Sequence, residues 1–196
     1  MKRGLLGCGI VVLAVVVLLG IAVAGGYNRL VTLEEAVKTA WSQVENVYQR
    51  RADLIPNLVE TVKGAAAFER DTFTAVTEAR ARVGQVTFPS VPNAEQFQRF
   101  QAAQDGLSSA LSRLLVVVEK YPELKATQNF QELQAQLEGT ENRIAVERRR
   151  FNEAAQAFNT TRRRFPIVIV ANLLGFSEKP YFQAAPGSDK PPQVKF

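Results

Sequence analysis

The stretch FQELQAQLEGTENRIAVERRRFNEAAQAFNTTRRRF, residues 130–165, repeats a large apolar side chain with a coiled-coil-like period. Phe130, Leu133, Leu137, Ile144, Phe151, Phe158 and Phe165 recur at three, four and then seven positions, one face of a helix of about ten turns. Pro166 stops it, because a proline has no amide to continue the ladder. Working outward, the segment before it carries Phe97, Phe100, Leu107, Leu111, Leu114 and Val118 at helical spacing and ends at Tyr121-Pro122. Thr87-Phe88-Pro89-Ser90-Val91-Pro92-Asn93 reads as a connector, with two prolines in four residues.

Further upstream, Leu30, Val37, Ala40, Trp41, Val44, Val47 and Tyr48 mark another helical face. Asp53-Leu54-Ile55-Pro56 interrupts it. The favoured reading is a break, with Asp53 capping a new helix and Pro56 tolerated in its first turn. The rival is one helix kinked at Pro56, since Leu54, Leu58, Val62, Ala65, Phe73, Val76 and Val83 roughly keep the earlier phase. No segment alternates with period two for long. Ile167-Val168-Ile169-Val170 fits a short strand or a short apolar helix. The expected class is all-α: an N-terminal transmembrane helix followed by an antiparallel, up-and-down four-helix bundle. The expected limits are an anchor over residues 1–26, a bundle over 27–176 and a Pro-rich tail over 177–196.

The leader supports the anchor. Residues 4–28 carry no charge and residues 5–24 are almost wholly apolar, enough at 1.5 Å each to span a bilayer core of about 30 Å. Met1-Lys2-Arg3 with Ala22-Val23-Ala24 also fits a cleavable signal, although the apolar run is long for one. Cys8, the sole cysteine, gives only a faint lipoprotein-like box. Lys2 and Arg3 on the short side favour a cytoplasmic N-terminus and a folded part outside the cytoplasmic membrane.

The chain has a net charge of +5 and no histidine. Without histidine, and with its one cysteine in the leader, it can assemble neither a Ser-His-Asp nor a Cys-His nucleophile, nor a His/Cys zinc site. No catalytic residue, cofactor or metal is expected, and nucleic acid is not expected as a partner.

Several separated motifs resemble the LemA family. Arg50-Arg51-Ala52-Asp53-Leu54-Ile55-Pro56-Asn57-Leu58-Val59 leads into Glu60-Thr61-Val62-Lys63-Gly64. Ala40-Trp41-Ser42-Gln43-Val44 precedes it, and Leu137-Glu138-Gly139-Thr140-Glu141-Asn142-Arg143-Ile144 follows. Phe165-Pro166, Leu174-Gly175-Phe176 and Tyr181-Phe182 complete the series. The resemblance implies an N-terminally anchored bacterial membrane protein with a four-helix bundle and no defined biochemical activity. Relatives in magnetotactic bacteria are associated with magnetosome membranes, which implies membrane organisation. Ala65 and Phe68 stand where the family usually has a tyrosine and a histidine, and Phe151-Asn152 and Phe158-Asn159 replace Tyr-Asn pairs, which argues against catalysis at those positions.

Three constellations remain. Phe151-Asn152 and Phe158-Asn159, two turns apart, read as core aromatics flanked by amides that bond to neighbouring helices. Arg51, Asp53, Glu141, Asn142 and Arg148 read as a structural polar network that sets helix register. Arg162, Arg163 and Arg164 are candidates for contact with anionic lipid or an acidic partner, with the apolar residues 165–176 beside them. A break at Asp53 returns this triplet to the membrane. With a continuous helix, three runs alternate and the triplet ends far from it. The expected role is a membrane-anchored scaffold presenting its bundle surface to partner proteins, with direct lipid engagement as the alternative.

Overall fold

The computed structural model describes residues 2–63, 70–88 and 90–183, and every regular element among them is helical. Helix α1 (Lys2–Lys63) runs unbroken for 62 residues, about 93 Å. The break expected at Asp53 is absent. Asp53 caps nothing: its Oδ1 accepts from Gln49 Nε2 one turn earlier, at 2.8 Å. Pro56 lies within the helix and has no N–H to give to the carbonyl four residues back, Ala52. That carbonyl accepts instead from Arg80 Nε at 3.0 Å. A donor from another helix thus replaces what the proline withholds.

Helix α2 (Arg70–Gly84) buries Phe73, Val76 and Ala79 at spacings of three. After the connector, Asn93 opens α3 (Ala94–Val118) with a capping box. Its Oδ1 accepts from Gln96 N at 2.9 Å, while Gln96 Oε1 accepts from Asn93 N at 3.0 Å. A single turn, α4 (Pro122–Lys125), leads into α5 (Gln128–Arg163). The β-branched run resolves as helix α6 (Ile167–Leu173), which ends at Gly175 with φ +74°, a conformation suited to glycine. Residues 176–183 then lie extended against α5.

The long helices form two close pairs, α1 with α5 and α2 with α3. Contacts fix their directions. Trp41 meets Phe151 and Arg51 meets Glu141, so α5 runs antiparallel to α1. Trp41 meets Phe97, Tyr48 meets Phe100 and Arg51 meets Gln104, so α3 runs parallel to α1. The core divides into two clusters. One, around Ile55, Leu58, Val62, Phe73, Val76, Leu107 and Leu114, lies at the far end of α1. The other, around Leu30, Val37, Trp41, Phe97, Phe151 and Phe158, lies toward the apolar leader.

Two further expectations are corrected. Phe165 does not close the apolar stripe: α5 ends at Arg163, Arg164 turns extended, and the Phe165 ring is 81% exposed. The continuous α1 also does not send the arginine triplet away from the leader. The element that runs back along α1 is α2, from Arg70, and not a helix opened at Asp53, so α5 still ends beside the start of the packed part of α1. Ile167 Cγ1 lies 3.4 Å from where a Cβ on Gly26 would be, and the Tyr27 and Phe176 rings are 6.1 Å apart.

Candidate functional site

Arg51 is the most buried charge among the described residues, 1% exposed. One terminal nitrogen donates to Ser108 Oγ at 2.9 Å and to Glu141 Oε1 at 2.7 Å. The other donates to the carbonyl and the side-chain oxygen of Gln104. The guanidinium also lies 5.0 Å from the centre of the Tyr48 ring. Burial in this surround pushes the Tyr48 hydroxyl above its ordinary range, against the opposing pull of Arg148 and Arg51. A buried cation held by α1, α3 and α5 at once fixes their relative register, at a cost in desolvation.

Of the five residues expected to share this network, the structure joins Arg51 to Glu141 and leaves three out. Asp53 is two residues from Arg51, about 200° around the helix, and faces solvent. Asn142 is rotated about 100° from Glu141 and is also exposed. Arg148 shares a face with Glu141 but lies two turns on. There it donates to Gln183 O at 3.0 Å and sits 4.6 Å from the Phe182 ring centre. Gln104 and Ser108 take their places, residues with no motif around them in the sequence.

A second arrangement forms on the leader-side half of α5. Asn152 Nδ2 donates to Phe182 O at 3.0 Å, and Phe182 N donates back to Asn152 Oδ1 at 2.9 Å. Asn159 does the same with Lys179: Nδ2 to the carbonyl at 2.8 Å, amide to Oδ1 at 2.9 Å. The expected partners of these asparagines were neighbouring helices; their actual partner is the extended segment after α6. Phe182 sits among Trp41, Phe97 and Phe151, with ring centres 6.4, 4.6 and 5.5 Å away. Lys179 Nζ reaches Glu34 Oε1 at 2.6 Å and lies 5.0 Å from the Phe158 ring centre. Sequence reasoning missed Glu34 and Lys179, which are 145 residues apart.

The arginine triplet divides. Arg162 Nε donates to Phe176 O at 2.6 Å, Arg163 pairs with Glu178, and Arg164 is exposed at the end of α5. Beside them Phe165, Ile169, Leu173 and Leu174 present an exposed apolar edge, Leu173 being 82% accessible. Elsewhere, a cavity of about 460 Å³ between α1, α2 and the connector is lined by Glu45, Tyr48, Arg80 and Phe88. Burial pushes the Glu45 carboxyl up, partly opposed by the Trp41 indole. Among the described residues no three His, Cys, Asp or Glu side chains converge where a metal ion could sit.

Fold and site together define an all-helical protein in which one N-terminal helix is long and apolar enough to cross a membrane. The model of the LemA family matches residues 40–196, and the chain belongs to that family. Its relatives include the magnetosome protein MamQ 2 of Paramagnetospirillum magneticum, 28% identical over 184 residues, covering 84% of this chain and 67% of the relative. The magnetosome protein MamQ of Magnetospirillum gryphiswaldense is 28% identical over 189 residues, 86% of this chain and 70% of the relative. Protein LemA of Metamycoplasma hominis is 23% identical over 161 residues, 82% and 70% respectively. None of these names is that of an enzyme.

Proposed function

We propose that this protein is a non-enzymatic scaffold held at the bacterial cytoplasmic membrane by a single-pass anchor, with an antiparallel four-helix bundle outside that presents its surface to partner proteins. Residues 1–26 form the anchor and 27–176 the bundle, and the tail, 177–196, begins as a segment packed into that bundle through Phe182. The observation that carries this reading is the continuity of α1. The same helix supplies the apolar leader and, through Trp41, Arg51 and Leu58, the centre of the core. A rod shared by anchor and bundle holds the outer surface at a fixed height and angle, which suits display. Two of the relatives are named as magnetosome proteins, which agrees with the membrane association that the family resemblance implies.

The test is cross-linking in intact cells followed by purification of the tagged full-length chain. A defined partner should be recovered, and lost when exposed charges on α2 and α5 are reversed. Recovery of the chain with no partner protein at any cross-linker length overturns the reading. A second reading, direct lipid engagement, draws on the exposed Phe165, Ile169, Leu173 and Leu174 beside Arg164, close to Gly26 and Tyr27 of α1. It is compatible with the first and has its own test below.

A further inference from the structure

We infer that α5 carries a binding site for an extended polypeptide, and that its occupant in trans is the 177–183 segment of a second copy of this chain. The site is built from side chains that read backbone. An asparagine side chain presents an N–H donor and an oxygen acceptor side by side, the complement of a residue's own carbonyl and amide. Asn152 and Asn159 each use both, on Phe182 and Lys179, and Asn159 gives its second donor to the Tyr181 hydroxyl at 3.0 Å. Seven helical residues advance about 10.5 Å, and three extended residues about 10 Å. Two turns of α5 therefore match the step from Lys179 to Phe182, and the two amides clamp a chain that makes no strand pairing.

Side-chain selection is added at both ends. Glu34 and the Phe158 ring receive a cation, and the box of Trp41, Phe97 and Phe151 receives an aromatic three residues later. Main-chain bonds with side-chain pockets at fixed intervals are how extended peptides are recognised generally. The ligand class is an extended segment with a cation followed three residues later by phenylalanine.

The segment is held by this groove and by little of its own. Beyond Phe176, which is fixed by Arg162 and Ala171, its backbone bonds run to Asn152, Asn159, Arg148 and Gln101 side chains, and among the described residues none joins one of residues 177–183 to another. It leaves α6 after the stop at Gly175, φ +74°, where the Phe176 amide is bonded to Ala171 O, so the part free to exchange begins at Ser177. A second copy anchored alongside presents an identical segment at the same height. Reciprocal exchange closes a two-fold pair in which each copy completes the other's groove. The exchange needs the groove alone, so it can stand or fall independently of the recovery of a foreign partner.

The test uses full-length chains in membranes with two different tags. Glu34→Lys and Lys179→Glu each mismatch the groove with its own segment, whereas either copy's segment matches the other's groove. Co-expressed, the two should co-purify at least about fivefold more than either with itself. The double variant carrying both changes in one chain should lose that preference. As a second arm that does not rest on charge, a chain with Asn152→Asp and Asn159→Asp keeps its segment, and a chain with Phe182→Asp keeps its groove. Mixed together, they should pair in that one direction. Synthetic Ser-Glu-Lys-Pro-Tyr-Phe-Gln, which matches the intact groove of the Phe182→Asp chain, should disperse the second pair. If neither mixture co-purifies beyond its self-controls while circular dichroism reports helical chains, the exchange is wrong. Capture of an unrelated polypeptide by the Phe182→Asp chain, to the exclusion of the other copy, also overturns it.

Discussion

Arg80 donates its Nε–H to the carbonyl of Ala52, the residue whose helical partner would have been the missing amide of Pro56. The bond couples α2 to α1 at the point where α1 is weakest. It accounts for a helix that runs through a proline, where an unmet interior carbonyl costs free energy.

Arg80→Met should therefore destabilise the protein by about 1–3 kcal/mol, the cost of stranding a partly buried acceptor. Pro56→Ala restores the amide, so the same Arg80→Met change on that background should cost much less. Denaturant melts of the four chains in a double-mutant cycle measure the coupling. Equal losses on both backgrounds would break the link between the two residues.

A second expectation concerns the aromatic core. Phe158 is fully buried, beside Phe176 and under the Lys179 ammonium. Phe158→Ala should lose about 3–5 kcal/mol, as large aromatic truncations do. It should also release residues 177–183, seen as faster chymotryptic cleavage after Tyr181 or Phe182. A loss below about 1 kcal/mol would mean that the stripe contributes little to the core.

Glu45 supplies a pH dependence. Burial raises its carboxyl above the ordinary 4.5, so the folded chain keeps this proton to higher pH than the unfolded chain. In that interval the folded state binds more protons, and stability from this group falls as pH climbs from 4.5 through the raised value. Glu45→Gln should remove that slope and raise the melting temperature at pH 7 relative to wild type. The difference between the two chains, followed from pH 4 to 7, is the measurement; parallel curves would contradict it.

The helical class and most core positions were legible because periodicity records which side of a helix is buried. Trp41, Phe97, Phe151 and Phe158 all declared themselves this way. The continuity of α1 was not legible, because the donor that relieves Pro56 comes from Arg80, whose register against Ala52 is a tertiary fact. Heptad spacing carried Phe165 onto the stripe, although Pro166 and the extended Arg164 end the helix first. Arg51 could be assigned to a polar network with Glu141, but nothing local pointed to Gln104 or Ser108. The asparagines of α5 could be assigned to the helix–core border. Their match to residues 179 and 182 needed the path of the chain after Gly175.

The last prediction separates two ways of meeting a bilayer. The sequence suggests electrostatic attraction by Arg162, Arg163 and Arg164, but Arg162 is already bonded to Phe176 and the exposed Arg163 is paired with Glu178, leaving Arg164 as the exposed charge of the three without such a bond. Phe165, Ile169 and Leu173 are more than half exposed. Fully burying such side chains is worth about 1.5–3 kcal/mol each. Seating in the bilayer interface should then be mainly apolar. With the full-length chain in vesicles and a fluorophore at Asn172, headgroup and shallow-acyl quenchers should both reduce emission. Raising the salt to about 1 M, where the screening length is about 3 Å, should change the quenching little. Arg164→Gln should change it little as well. Phe165→Ser with Leu173→Ser should abolish it while the helical signal persists. Quenching that survives the serine pair but disappears in salt would assign the contact to charge, and no quenching in any vesicle would remove lipid engagement while leaving the scaffold intact.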